Sequence, residues 1–323
     1  MKILVTGGAG YIGSFMVKRL LDEGHLVVVA DSLERGHKEK LDSRATFEQG
    51  NLLDDAFLKS IFDKNQFDAV MHFAAYIAVG ESMEKPGMYF ENNVFSTLKL
   101  LDLMHQYNVK YFIFSSTGTV YGTPKELPTP ETHTKNPENP YAESKLMVEK
   151  LLDWYYKIYG IGYAVLRYFN AAGGALDGSL GENHEPETHL IPNAIHAALE
   201  NKEFYLFGDD WETRDGTCIR DYIHVLDLIE AHIATLKKLE EQNGAYVFNV
   251  GTGKGTTNKE VVEMVKKVSG REFPIVTKSR RDGDVAETVA DVSKIKEQLG
   301  YEPKYSDLET IIKTAWQWHS KKN

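Results

Sequence analysis

The chain has 323 residues, 42% of them apolar and 26% charged, with a formal net charge of −10. Such a length supports a large core and two domains, and the acidic balance argues against nucleic acid or an anionic membrane as the principal partner. Its one cysteine, Cys218, allows no internal disulfide, so a reducing compartment is expected. The first residues carry no apolar signal core, and no run reaches the roughly 18 apolar residues that span a bilayer. A cytoplasmic protein without a membrane segment is expected.

In chain order, the apolar run Lys2–Thr6 breaks into Gly7-Gly8-Ala9-Gly10 and then into a helical pattern. Gly7 and Gly10 let backbone approach a pyrophosphate with no Cβ in the way, and Gly13 lets the helix pack closely on the strand. The phosphates would meet N–H groups at the positive end of the helix dipole. Ile12, Phe15, Met16, Leu20 and Leu21 follow helical spacing up to Gly24. Leu26 to Ala30 is a fully apolar strand ending at Asp31, roughly 20 residues past the turn, where a carboxylate suits the ribose hydroxyls of NAD. Arg35 nearby keeps NADP in play.

Strands follow at 45–49, 68–73 and 110–114. A helix capped by Asp54 and a long helix near 87–107 lie between them. This alternation means a doubly wound parallel sheet, whose ligands sit at the carboxyl ends of the strands. Asp31, Asn51, Ala74 and Ser115 stand at those ends. Five of the ten prolines fall in 123–140, which excludes regular structure there. A helix at 141–159 and a strand at 162–167 come next, and the alternation breaks beyond Asn170. The expected layout is a dinucleotide-binding domain over 1–170, with a return near 221–240, and a smaller, discontinuous α/β substrate domain over 171–323. The latter includes a strand at 245–250 and helices near 257–269 and 307–321.

Tyr141 and Lys145, four apart at a helix start, share one face. A phenol with a pKa of about 10 is a poor base at neutral pH, but a nearby ammonium and a nicotinium ring favour the phenolate. It can then take a proton from a sugar hydroxyl as hydride leaves the same carbon. Tyr121 and Lys125 match the same spacing, but Pro124 between them prevents a shared helix face.

These features resemble the extended short-chain dehydrogenase/reductase group, whose fold is a doubly wound parallel Rossmann sheet. His72–Ala75, Val79–Ser82, Tyr121-Gly122, Leu166–Asn170, Gly216–Val225 and Arg280–Asp284 narrow the resemblance to the UDP-glucose 4-epimerase family, over nearly the whole chain. The resemblance implies a tightly bound NAD, a UDP-sugar substrate and a homodimer formed through the helices near 87–107 and 141–159. Thr117 would hydrogen-bond the sugar 4-hydroxyl, Tyr141 would be the base, and Lys145 would hold the nicotinamide ribose. Tyr11, Ile12, Asp31, Ser32, Asn51, Leu52, Phe73, Ala74, Ala75, Asn92 and Phe169 would line the NAD site. Asn170, Arg220 and Arg281 would hold the diphosphate, Tyr205 to Phe207 the uracil, and Asp284 the uridine ribose, with His189 and Leu190 also on the substrate side. Thr288 falls where the family sets sugar-pocket width, so N-acetylated UDP-sugars are expected to enter too.

Departures and rivals complete the reading. Ile77 stands where some relatives carry a lysine, Phe15 replaces a frequent histidine and Ala142 a frequent glycine. Dehydration needs an Asp-Glu pair directly after the active-site threonine, and Gly118-Thr119 stand there instead. A non-catalytic dinucleotide sensor would have no use for Tyr141, Lys145 and the arginines together. His184 and His189 are five apart with Pro186 between them, which fails the helical zinc geometry, and no metal is expected. Gly251–Thr256 lacks the phosphate-loop spacing and reads as a turn. Cys218 reads as packing, and Arg280 as a solvated charge.

Overall fold

In the computed structural model, which describes residues 1–281 and 283–321, the first apolar run forms β1 (Lys2–Thr6) and the glycine turn opens α1 (Tyr11–Asp22). There follow β2 (Leu26–Asp31), β3 (Thr46–Gln49), α2 (Asp55–Lys64), β4 (Ala69–His72), α3 (Val79–Glu84), α4 (Pro86–Phe90), α5 (Ser96–Gln106), β5 (Tyr111–Thr117), α6 (Pro140–Tyr159) and β6 (Gly162–Tyr168). Beyond these come β7 (Asn170–Ala172), α7 (Leu190–Glu200), β8 (Phe204–Phe207), β9 (Ile219–Arg220), β10 (Tyr222–His224), α8 (Val225–Glu241) and β11 (Ala245–Val250). The chain closes with β12 (Thr256–Thr257), α9 (Asn258–Ser269), β13 (Ile275–Lys278), β14 (Glu287–Thr288), α10 (Ser293–Leu299) and α11 (Leu308–Lys321).

Seven strands make the central sheet in the order β11-β6-β5-β4-β1-β2-β3. The pairs from β3 through β2, β1 and β4 to β5 run parallel. The doubly wound expectation holds, and its physical cause is visible: β1, β2 and β4 are apolar throughout their interiors because both faces of a parallel sheet are covered. Leu4, Val28, Val70 and Phe112 pack with Leu58, Ile61, Leu100, Met104, Val148 and Leu152 from α2, α5 and α6.

Cα proximity divides the chain into two units. The first comprises Met1–Gly122, Lys135–Arg167 and Ile229–Phe248; the second comprises Thr123–Thr134, Tyr168–Leu228 and the chain from Asn249 onward. The change after β6 falls at 167/168 and the return spans Ile229–Phe248, against the expected 170 and 221–240, so most of β11, expected in the smaller domain, belongs to the first unit and its central sheet. Thr123–Thr134, expected in the first domain, groups with the second unit. The second unit has its own core, in which Ile191, Ala194 and Ile195 of α7, Val261 and Val265 of α9, and Ile311 and Ile312 of α11 pack together. Its short sheets pair β10 with β7, β13 with β8, and both β12 and β14 with β9.

Local rules set most boundaries. Asp54 accepts from the N–H groups of Ala56 at 2.9 Å and Phe57 at 3.1 Å, the expected cap of α2. Asn139 caps α6 through the Ala142 N–H, with Pro140 in the first turn, and Gly160 ends that helix at φ +71°. The long helix expected near 87–107 is interrupted by a π turn at Glu91–Phe95. There the hydroxyls of Ser96 and Thr97 donate to the carbonyls of Asn92 and Asn93. On α6, Leu146, Val148 and Leu152 are buried while Met147, Trp154, Ile158 and Tyr159 are exposed. Its apolar residues therefore do not all face the sheet. No described helix is long and apolar enough to cross a membrane.

Candidate active site

The glycine turn is shaped by what it excludes. Gly7 has φ +72°, and a Cβ there would lie 2.5 Å from the Ala74 backbone nitrogen, so the turn sits directly against the Phe73-Ala74 loop after β4. A Cβ on Gly13 would meet the Gly7 carbonyl oxygen at 2.1 Å. Gly13 thus brings α1 onto the turn itself, a closer partner than the strand the sequence suggested. No side chain caps the N-terminus of α1, whose cap is Gly10, and its first turn, with Tyr11 and Ile12, carries no carboxylate. A helix N-terminus without a side-chain cap or a carboxylate has the donors and the dipole that suit an anion.

Asp31 ends β2 with its carboxylate tied to the turn. Ala9 N–H donates to Oδ2 at 3.0 Å and Leu33 N–H to Oδ1 at 2.8 Å. Burial pushes the carboxyl pKa upward against those two bonds. A carboxylate offers about four lone-pair positions, so these two bonds leave it capacity for further donors. Arg35, the cation that kept NADP in play, is engaged by Glu81 at 2.7 Å and lies over the Tyr76 ring. Ser32 follows at the surface, where its Oγ accepts from Glu34 N–H. Asn51 Oδ1 accepts from Leu53 N–H, Leu52 is buried, and Phe73 packs on His232 at 5.0 Å. Asn92 stands in the π turn and donates to Asn93 Oδ1 at 3.0 Å. These donors, the empty cap and the tight turn fit a dinucleotide such as NAD.

Thr117, the last residue of β5, and Tyr141, in the first turn of α6, are brought together by the packing of α6 on the sheet. The Thr117 hydroxyl, 2.9 Å from Thr119 Oγ1, lies near the Tyr141 phenol. Burial pushes the Tyr141 phenol up to about 12, and the Thr117 hydroxyl works in the opposite direction. Lys145 is buried one turn on, where its Nζ donates to the Ser115 carbonyl at 2.8 Å and lies 4.8 Å above the Phe114 ring. Burial lowers its pKa to about 7, and Glu149 opposes that. Lys145 thus stands on the face expected of it, but in the chain alone the phenol is governed by burial and Thr117.

Below this face lies a charge network that the sequence reading missed. Glu149, one turn after Lys145, accepts from Ser116 Oγ at 2.6 Å and from Arg167 Nε at 3.0 Å, with a second contact to Arg167 Nη2. Arg167 Nη1 donates to Tyr121 Oη at 2.9 Å. Asn93 was also missed. It accepts from Tyr76 N–H at 2.9 Å and donates to Tyr76 O and to Ser144 Oγ, each at 3.0 Å. Both networks join residues far apart in sequence, and only the polar identity of each side chain was visible beforehand.

In the second unit, Arg220 Nη1 donates to the carbonyls of Ile219 and Val285 at 2.9 Å each, and Nη2 lies 3.6 Å from Asp284. Arg281 lies 3.8 Å over the Phe207 ring. Arg280 pairs with Asp210 at 2.8 Å and sits over Trp211. Asp282, within the same motif, lies outside the described residues. Tyr205 is exposed and donates to Glu203, and Thr288 pairs with Arg220 across β14 and β9. Phe169 joins β6 to β7, and Asn170 donates to the Asp221 carbonyl. His189 stands at the N-cap position of α7 without a side-chain capping bond, and Leu190 is the first helical residue. Asp221 is wholly buried and accepts from Thr252 N–H, Thr252 Oγ1, Gly253 N–H and Ala290 N–H. The glycine-rich 251–256 stretch is a turn folded on that carboxylate. Cys218 is buried, and burial raises its thiol pKa, as suits packing.

Comparison with known proteins agrees with this geometry. The family model described as GDP-mannose 4,6 dehydratase matches residues 4–314. The UDP-glucose 4-epimerase of Lactobacillus helveticus is 48% identical over 99% of this chain and 97% of its own length. A crystal structure of UDP-glucose 4-epimerase from Brucella ovis in complex with NAD is 45% identical, with a TM-score of 0.94 over 98% of this chain and 97% of that one. One from Bifidobacterium longum in complex with NAD+ and UDP is 38% identical, with a TM-score of 0.94 over 99% and 98%.

Proposed function

We propose, from the premise that this chain belongs to the NAD-dependent UDP-glucose 4-epimerase family, a division of labour among its own residues for interconverting UDP-galactose and UDP-glucose. Bound NAD would supply reversible hydride transfer at the sugar C4. Gly7, Gly10 and Gly13 keep the α1 N-terminus bare for the pyrophosphate, and Asp31 takes the ribose hydroxyls. Thr117 holds the sugar 4-hydroxyl while Tyr141 removes its proton. Lys145, with Glu149 behind it, supplies positive charge that draws the phenol down from its buried value toward the working range. After the 4-keto sugar turns about its bond to the diphosphate and presents the opposite face of C4, the same phenol returns the proton to the C4 oxygen. Arg220, Arg281 and Asn170 hold the diphosphate, Tyr205 to Phe207 the uracil, Asp284 the uridine ribose, and His189 and Leu190 border the substrate. Ser32, Asn51, Leu52, Phe73, Ala74, Ala75, Asn92 and Phe169 complete the cofactor lining.

One observation carries this reading: buried Lys145, one helical turn after Tyr141, reaches the end of β5 at the Ser115 carbonyl, two residues before Thr117. Incubation of the purified protein with UDP-galactose and no added NAD is expected to yield UDP-glucose, and Tyr141→Phe to abolish it. Full activity in that variant would overturn the assignment. Thr288, a small residue paired with Arg220, supports admission of N-acetylated UDP-sugars as well. Equal refusal of UDP-N-acetylglucosamine by wild type and Thr288→Gly would exclude that.

Exposed Trp154, Ile158 and Tyr159 on α6, with Phe95 at the end of the π turn, support a homodimer through these helices. Ile158→Glu is expected to convert it to a monomer in sedimentation. The lone thiol supports a cytoplasmic location.

A further inference from the structure

We propose that Glu182, His184, Glu187 and His189 form a site for one zinc-class divalent cation immediately before α7. The spacing of the two histidines cannot place them on one helical face, and the chain here is not a helix. The loop folds back so that one ligand atom from each of the four residues lies within 4.8 Å of the others, the only such group among the described residues. His189 Nδ1 is 2.8 Å from Glu182 Oε1 and 3.1 Å from Glu187 Oε1. His184 Nδ1 is 3.2 Å from Glu182 Oε1 and 3.9 Å from Glu187 Oε2. Ligand bonds of about 2.0–2.2 Å in a tetrahedron put neighbouring ligand atoms about 3.3–3.6 Å apart. The four distances straddle that range, so small side-chain shifts complete the shell.

Two further observations point the same way. His184 Nδ1 is cut off from solvent and makes no hydrogen bond, although two carboxylates stand beside it. Glu182 is only 5% exposed, and its buried charge is met by His189 Nδ1 at 2.8 Å unless a cation takes that place. With neutral imidazoles the four side chains carry two negative charges, which one dication balances. Two imidazole nitrogens and two carboxylate oxygens suit zinc better than magnesium or calcium, which take oxygen alone. The cation would fix the loop that leads into Leu190. The rival arrangement is two imidazolium protons in place of the metal, and it predicts no cation binding.

The full chain, treated with chelator and dialysed, is to be titrated with Co²⁺ followed by its visible absorption, and with Zn²⁺ by calorimetry. One ion per chain is expected, with the absorption bands of tetrahedral cobalt and a raised melting temperature on zinc addition. His184→Ala and Glu182→Gln are each expected to weaken binding at least about 10–100-fold, since even loss of an outer partner of a metal ligand costs that much. Absence of stoichiometric binding overturns the site, as does binding undiminished in His184→Ala, whose partly exposed ring is not needed for the core. Circular dichroism of both variants separates lost ligands from lost fold.

Discussion

Tyr121 and Tyr141 each stand four residues ahead of a lysine, yet the two pairs do different work. Tyr121 is buried in a short 3-10 turn and takes a hydrogen bond from Arg167. Gly122 follows with φ +66°, Pro124 lies beyond it, and Lys125 belongs to the other unit. Tyr141 and Lys145 lie on successive turns of α6, capped by Asn139, and converge on the end of β5. The spacing becomes chemistry only where a helix enforces it. The first tyrosine nevertheless supports the second, since Arg167 connects Tyr121 to Glu149 beneath Lys145.

The contrast can be broken experimentally, from the largest effect downward. Tyr141→Phe is expected to lower kcat by about 10²–10⁴-fold, the usual weight of a general base, while Tyr121→Phe leaves kcat within a few-fold in the same assay. Glu149→Ala leaves Arg167 buried without its partner and is expected to cost about 3–5 kcal/mol in urea unfolding. Tyr121→Phe removes one partner of the same guanidinium and is expected to cost about 1–3 kcal/mol by that measurement. Lys125→Ala is expected to leave both activity and unfolding unchanged.

A pH profile extends the comparison to the neighbour of Lys145. His72 is buried between Thr6 and Thr97, and burial, with the Lys145 charge adding, lowers its pKa to about 3. Its folded value lies below the unfolded value of about 6.5, so between the two the unfolded chain binds the extra proton. Stability is therefore expected to fall as pH drops from about 6.5 toward 3, by up to about 1.4 kcal/mol per unit from this group. His72→Gln is expected to flatten that slope in urea titrations at successive pH values, and Lys125→Ala to leave it as it is.

Much of this was legible before the fold. The run into Gly7, the carboxylate at Asp31, the cap at Asp54 and the helix after Pro140 are written in neighbouring residues. The π turn was not, because its hydroxyl-to-carbonyl bonds leave the helical periodicity of 87–107 nearly intact. The convergence of Glu182 with 184–189 was not legible for a related reason. Helical spacing speaks only to His184 and His189, and Glu182, which completes the cluster, lies outside that stretch.

The sequence by itself determined the alternation of strand and helix, the anion-ready turn and the pairing of Tyr141 with Lys145. Each depends on contacts a few residues long, which local propensity and periodicity specify. The tertiary structure alone decided that Asn93 braces Tyr76 and Ser144, that Arg167 neutralises Glu149 and that 123–134 groups with the second unit. Those outcomes require chain segments far apart in sequence to close on one another. The free energy of that closure comes from the whole core, so no single stretch of sequence records it.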